Sequence, residues 1–186
     1  MRWLQSYSLL LGPMAVIAPG SARETTPEVE AFWQTCVRQS AIVPAKDSYR
    51  VRYFGADEAT ARRLLDFIAA GEKTVTFTSP WIYQDDHNRT PVAGGYTVVT
   101  DFDGHPELLL RTTHVKTLAF SEVTEQETRF EGPGARPLDA WRRIHWNFFA
   151  HALKPLGKQP AEDMPVTVEY FEVVCRLSDT RTVAPR

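Results

Sequence analysis

The chain has 186 residues and a mass of 21.1 kDa, a length that fits one domain with an appendage and excludes a second full enzymatic domain. Hydrophobic residues make up 43% and charged residues 24%, so the chain can bury a core and is neither disordered nor fibrous. The net charge of −2 argues against a protein that coats nucleic acid through bulk positive charge.

The first 24 residues indicate whether the protein is exported or cytoplasmic. Arg2 precedes an apolar run from Leu9 to Ala18, and small residues then lead to Arg23, which is the outline of a secretory signal peptide. The run is too short to span a membrane, and the alternative is a loose extension of a cytoplasmic protein. Cys36 and Cys175 could pair after export. Buried thiols are the default expectation, because Cys36 falls on an apolar helical stripe.

The remaining chain alternates helices with groups of strands. Thr26 and Pro27 predict the start of an amphipathic helix, and Gly71 predicts the end of a second helix. A third helix begins near Pro137, and Asp103-Gly104 predicts a hairpin. Strands are predicted at about 49–53, 74–78, 96–101, 108–115 and 166–177, and a tail follows from Ser178.

This order predicts an α+β fold. Antiparallel strand runs between isolated helices favour a small β-barrel with flanking helices over a parallel βαβ sheet. We therefore expect a leader over residues 1–24, one domain over 28–176 and a tail over 178–186.

The segment from Gly71 to Thr76 carries the first candidate chemistry. If it is extended, Thr74 and Thr76 share one face and Lys73 leaves from the preceding turn. A lysine whose pKa is lowered by burial can act as base for a threonine hydroxyl, which then becomes a nucleophile. The ordinary alternative is a solvated helix cap, since lysine is favourable beside a helix C-terminus.

A local basic cluster follows later in the chain. Residues 129–158 contain six basic and two acidic residues, a net +4 in a chain of −2. Arg142, Arg143 and Trp146 are expected to lie off the apolar face of the third helix, where they could contact phosphates and stack on a base. A solvated helix face is the simpler interpretation.

Few other residues indicate chemistry. Glu131 precedes a Gly-Pro-Gly turn that could present it into a cleft as a proton donor, although a plain turn carboxylate is the commoner case. His145 is expected to be a core histidine, and His87 and His114 lack the spacing of metal ligands. No nucleotide-loop, dinucleotide, zinc-helix or nucleophile-elbow motif occurs, so we predict no cofactor and no metal.

Taken together, these segments resemble the ASCH domain, a member of the PUA-like superfamily. The resemblance rests on ordered matches across about residues 28–176. They are Gly71–Thr76, Pro91–Tyr96, Asp103–Pro106, Arg111–Val115, Phe120–Thr124, Glu131-Gly132, Leu138 with Trp141–Arg143 and His145, and Glu162–Met164 leading to Val168–Phe171.

The resemblance implies a barrel whose cleft handles RNA or nucleosides. Some ASCH proteins act as ribonucleases and others remove the acetyl group from 4-acetylcytidine. In the latter, a lysine, a threonine three residues later and a glutamate before the third helix form the catalytic set, which implies Lys73 as base, Thr76 as nucleophile and Glu131 as proton donor. Ribonuclease-like members commonly carry a serine where this chain has Pro137, although its length and tryptophan-rich third helix resemble that group.

Three hypotheses stand at this point. The first is a hydrolase acting on RNA or a modified nucleoside through Lys73, Thr76 and Glu131. The second is a non-catalytic RNA-binding module that uses Lys73, Thr74, Arg142, Arg143 and Trp146. The third is an exported barrel whose ligand is not RNA. The sequence does not indicate an oligomeric state.

Overall fold

The computed structural model describes residues 25–40, 42, 49–83 and 90–180. The leader, residues 84–89 of the polar loop and the last six residues of the predicted tail lie outside the described residues. Within the described part of the chain, no helix combines the length and the apolarity that a membrane crossing requires.

Five strands form one mixed sheet in the order β1-β3-β4-β5-β2. β1 runs parallel to β3, whereas the other three pairings are antiparallel. The predicted antiparallel runs are thus joined by one parallel pairing at β1, since helix α2 (Glu58–Ala69) lets the chain cross over before β3 begins. The strands are β1 Tyr49–Arg52, β2 Val75–Thr78, β3 Tyr96–Thr100, β4 Pro106–Ala119 and β5 Pro165–Arg176.

Three helices cover the sheet. α1 (Pro27–Gln39) starts at Thr26, whose hydroxyl accepts a hydrogen bond from the Val29 amide. α1 packs on β1, β3 and β4, α2 packs on Val99, Leu108 and Phe171, and α5 (Leu138–Leu153) packs against β2 and β5. The short helices are α3 Pro80–Tyr83, α4 Glu125–Thr128 and α6 Leu177–Thr180.

The α+β class is confirmed. The two edge strands, β1 and β2, are not hydrogen-bonded to each other within the described residues, so the closed barrel remains a prediction. The tail expected from Ser178 starts instead with α6, which continues directly from β5.

Cys36 and Cys175 form a disulfide that ties α1 to the end of β5. The default expectation of two buried thiols is therefore wrong. Cys36 does lie on the apolar stripe of α1, and both cysteines belong to an apolar cluster with Val29, Phe32 and Leu109. That packing brings together two sulfurs that are 139 residues apart in the chain, a proximity that only the fold creates.

Candidate functional site

A tight turn delivers Lys73 to the interior. Gly71 adopts φ +74°, a left-handed conformation that suits a residue without a side chain at the end of α2. The amides of Glu72 and Lys73 both donate to the Phe67 carbonyl, at 2.8 and 3.1 Å. The turn thus satisfies the end of the helix and directs the Lys73 side chain inward, where it is 4% exposed.

Backbone contacts hold Glu131 opposite this turn. The Thr74 amide donates to the Phe130 carbonyl at 2.9 Å, which joins the start of β2 to the segment before Glu131. Arg136 donates from Nε to the Glu131 carbonyl and from Nη2 to the Glu72 carbonyl, both at 2.8 Å. A Cβ on Gly132 would lie 2.9 Å from the Phe67 ring, so glycine allows this segment to approach α2 closely.

Lys73 Nζ donates to the Glu131 carboxylate, and both side chains are 4% exposed. Burial lowers the pKa of Lys73, because an ammonium loses its hydration, while Glu131 acts in the opposite direction. Burial tends to raise the pKa of Glu131, but the charge of Lys73 and the His145 ring lower it to about 2. Glu131 is therefore ionised, and little of the pair is exposed to solvent.

His145 lies beside this pair. Its Nε2 is 3.6 Å from the second oxygen of Glu131, and its Nδ1 donates to the Trp141 carbonyl at 3.0 Å. The ring stacks on Trp141 and meets Phe77 edge-on. His145 is thus packed against the core, as expected, and also turns one ring nitrogen toward Glu131.

Thr76 is buried on β2, where it pairs in register with Glu169 of β5. No hydrogen bond joins Thr76 to Lys73 within the described part of the chain. The structure thus brings Lys73 and Glu131 into direct contact and places Thr76 on the neighbouring stretch of β2.

Around Glu169 lies a buried polar cluster that the sequence did not reveal. The Glu169 carboxylate accepts hydrogen bonds from Arg50 at 2.5 Å, from Thr112 at 2.6 Å and from Arg52 at 3.5 Å. We add Tyr83, because it is buried and its helix α3 packs against β5. We call these five residues the Glu169 cluster. One signal was present: Arg50 and Arg52 alternate with the buried Val51, which places two cations on one face of a strand.

The predicted nucleic-acid residues are not gathered at this site. Arg142 is 38% exposed and donates to the Ser121 carbonyl, and Arg143 is exposed. Trp146, expected off the apolar face, instead packs edge-on against Phe120. Thr74 is half-buried at the start of β2.

The described residues contain no group of three or more His, Cys, Asp or Glu side chains that could hold a metal ion. Of the histidines considered from the sequence, His114 packs against Tyr170, and His87 lies outside the described residues.

Comparisons with known proteins agree on one family. The sequence model of the ASCH domain matches residues 50–175. The crystal structure of an ASCH domain from Lactobacillus crispatus is similar with 30% sequence identity and a TM-score of 0.68, covering 78% of this chain and 92% of that one. A crystal structure of a protein from Enterococcus faecalis is similar with 29% identity and a TM-score of 0.72, covering 84% of this chain and 93% of that one. No curated protein gives a significant match.

Proposed function

Because the chain belongs to the ASCH domain family, whose fold is PUA-like, we propose that it is a hydrolase that removes an acyl group from the amide of a modified nucleoside of the 4-acetylcytidine type. Lys73, Thr76 and Glu131 form the proposed reacting centre, inside the barrel that the resemblance implies. The observation that carries the proposal is the buried Lys73–Glu131 pair, together with a buried threonine, Thr76, three residues after Lys73 in the chain.

The buried pair holds one proton that two groups compete for. Removal of the solvent that still reaches the pair would shift the balance toward a neutral amine and a neutral carboxylic acid, because burial penalises both charges. A substrate that closes the site therefore promotes transfer of the proton from Lys73 to Glu131. This one transfer creates the two groups that amide hydrolysis requires, a neutral base and a protonated acid.

The reaction then proceeds by acyl transfer to Thr76. Lys73 Nζ takes the proton of the Thr76 hydroxyl, and the oxygen attacks the carbonyl carbon of the acetyl amide. The carbon–nitrogen bond breaks as Glu131 gives its proton to the departing amine. Lys73 is then an ammonium, Glu131 a carboxylate, and Thr76 carries the acetyl group as an ester.

Water completes the cycle. Glu131 accepts a proton from a water molecule, whose oxygen attacks the ester carbonyl. The Thr76 oxygen leaves and recovers its proton from Lys73, which restores the neutral amine and the carboxylic acid. The products are acetic acid and the free amine of the nucleoside, so one water is consumed and every proton is returned.

The residues favour amide hydrolysis over ribonuclease activity. Pro137 stands where ribonuclease-like relatives commonly carry a serine, and a proline supplies neither a hydroxyl nor a backbone donor. The amidohydrolase set, by contrast, is complete in Lys73, Thr76 and Glu131.

The test is incubation of the purified protein with a panel of acetylated nucleosides, plain nucleosides and RNA oligomers, read by mass spectrometry. We expect loss of an acetyl group from 4-acetylcytidine and unchanged RNA oligomers. Lys73→Ala should abolish the loss. Thr100→Ala is the control for loss of a buried side chain. The Thr100 hydroxyl donates to the Asp101 carbonyl and lies outside the proposed centre, so this variant should keep the activity. Shortened oligomers together with intact 4-acetylcytidine would contradict the proposal.

The second candidate function is a non-catalytic RNA-binding module. The observation in its favour is the exposure of Arg143 and the partial exposure of Arg142 on α5. The sequence analysis grouped Thr74, Trp146 and Lys73 with these arginines. In the structure, Trp146 packs against the apolar core and Lys73 is buried. This candidate requires binding that weakens steeply with salt and nucleic acid that is unchanged after long incubation.

A further inference from the structure

Two buried donors of the Glu169 cluster, Arg52 Nε and the Tyr83 hydroxyl, complete no hydrogen bond of ordinary geometry within the described part of the chain. The Thr78 side chain is the hydrogen-bonding neighbour that acts on the Tyr83 hydroxyl. Tyr83 is 7% exposed and the Arg52 side chain 13% exposed. An unsatisfied buried donor costs free energy, so folded proteins rarely keep one without a reason.

Both donors belong to elements that contact the strand paired with Thr76. Arg52 Nη1 is 3.5 Å from Glu169 of β5, and α3, which carries Tyr83, packs against β5. Glu169 pairs in register with Thr76 on the same face of the sheet. A ligand bound at Thr76 would therefore share this face with Glu169 and the Arg52 guanidinium.

The chemistry of the two groups limits what they bind. The guanidinium Nε can only donate, and burial raises the pKa of Tyr83, which keeps its hydroxyl protonated and able to donate. The partner must therefore be an acceptor. Glu169 offsets only one of the two positive charges of Arg50 and Arg52, so charge alone would admit an anion, but desolvation at this depth is far more expensive for an anion than for a neutral oxygen. A neutral carbonyl fits better than a phosphate.

We propose that Arg52 and Tyr83 recognise the ring carbonyl of a pyrimidine base, the oxygen that sits between the two ring nitrogens of cytosine. The proposal rests on the proposed function for its substrate class. It goes beyond that function by assigning base specificity to two residues outside the reacting centre. Arg52 and Tyr83 select the base, while Lys73, Thr76 and Glu131 carry out the acyl transfer.

The test compares binding of cytosine with binding of 4-aminopyrimidine, which is the same ring without the carbonyl. Neither molecule can be deacetylated, so binding is measured by NMR titration independently of turnover. We expect the protein to prefer cytosine by about threefold to tenfold, the value of one neutral hydrogen bond, or more if both donors contribute. Tyr83→Phe and Arg52→Met should each reduce that ratio.

Thermal unfolding separates recognition from a structural role. Tyr83→Phe removes a hydroxyl that completes no hydrogen bond of ordinary geometry, so its Tm should stay the same or rise. The matched control is Tyr49→Phe, which removes a hydroxyl that donates to Glu30 at 2.5 Å. That variant should lower the Tm and leave the ratio between the two rings unchanged.

Two results would overturn the proposal. One is equal binding of cytosine and 4-aminopyrimidine by the wild-type protein. The other is displacement of cytosine by inorganic phosphate at constant ionic strength, which would make the cluster an anion site. If the ratio responds to Tyr83→Phe but 4-acetylcytidine is never deacetylated, the recognition site stands and the proposed function falls.

Discussion

The strand β5 runs through two buried regions of opposite character. At its end, Cys175 bonds to Cys36 among apolar side chains under α1. Six residues earlier, Glu169 lies equally deep but gathers two arginines, a threonine and a tyrosine. Solvent is excluded from both regions, so burial by itself does not distinguish them.

The difference lies in what each region does for the free energy of unfolding. Apolar packing and a cross-link both stabilise the folded chain. Buried ion pairs contribute little or nothing net, because desolvation offsets their attraction, and an apolar replacement of similar volume is often as stable. The apolar end of β5 therefore stabilises the fold, and the charged residues contribute less to stability and carry the proposed chemistry.

The largest expected effect comes from removing one partner of the Lys73–Glu131 pair. Glu131→Ala leaves a buried ammonium without a counter-charge and should lower the free energy of unfolding by about 3–5 kcal/mol. The double variant Lys73→Met with Glu131→Leu should recover most of that loss and have no turnover. Urea denaturation of the wild-type protein, the single variant and the double variant measures the loss and the recovery of stability, and incubation with 4-acetylcytidine measures turnover. A double variant as unstable as the single one would show that the pair is structural.

Acid should weaken the Lys73–Glu131 pair. Burial tends to raise the pKa of Glu131, but the charge of Lys73 outweighs burial and the pKa falls from 4.5 to about 2. The contribution of Glu131 to the free energy of unfolding is therefore complete above pH 4.5. That contribution is lost as pH falls from about 4.5 to about 2, and it amounts to about 3 kcal/mol. Glu131→Gln, which cannot titrate, should flatten this part of a stability-versus-pH curve. Identical slopes in the two proteins would contradict the assignment.

Removal of the disulfide should affect stability alone. The double variant Cys36→Ala with Cys175→Ala should lose about 2–4 kcal/mol, since the bond closes a long loop in the unfolded chain. Hydrolysis of 4-acetylcytidine at a temperature where the variant is folded should be unchanged. A fall in turnover without unfolding would show that the disulfide is coupled to the proposed reacting centre.

The smallest effect on stability is expected on the outer face of α5. Arg142→Ala with Arg143→Ala should change the free energy of unfolding by less than about 0.5 kcal/mol, because the Arg142–Glu162 pair is exposed and 3.9 Å long. If these arginines bind RNA, the slope of log affinity against log salt should fall by about 2. An unchanged slope would remove them from the interface.

Much of the apolar half followed from the sequence. The i, i+3, i+4 stripe and the Thr26 cap predicted α1, and alternation predicted β5 to within a residue at each end. These patterns are local, because one helix face or one strand face needs only its own residues to be amphipathic. The parallel pairing of β1 with β3 was missed, since register between distant strands leaves no local pattern.

The charged half was predicted only in part. The resemblance indicated Lys73, Thr76 and Glu131, and the structure joins the first and last of these in one contact. Tyr83 and Glu169 escaped notice, because an isolated tyrosine or glutamate looks the same in sequence whether it is exposed or buried. Trp146 was misplaced for a related reason: the segment carrying Phe120 packs along α5 and widens its buried face.

The central claim is that Thr76 takes up the acyl group. The direct measurement is single-turnover reaction of 4-acetylcytidine with the wild-type protein, Thr76→Ser and Thr76→Val, followed by mass spectrometry of the protein and the nucleoside. We predict a transient acetyl adduct on the peptide containing Thr76, retained activity in Thr76→Ser and none in Thr76→Val. Undiminished deacetylation by Thr76→Val would contradict the account.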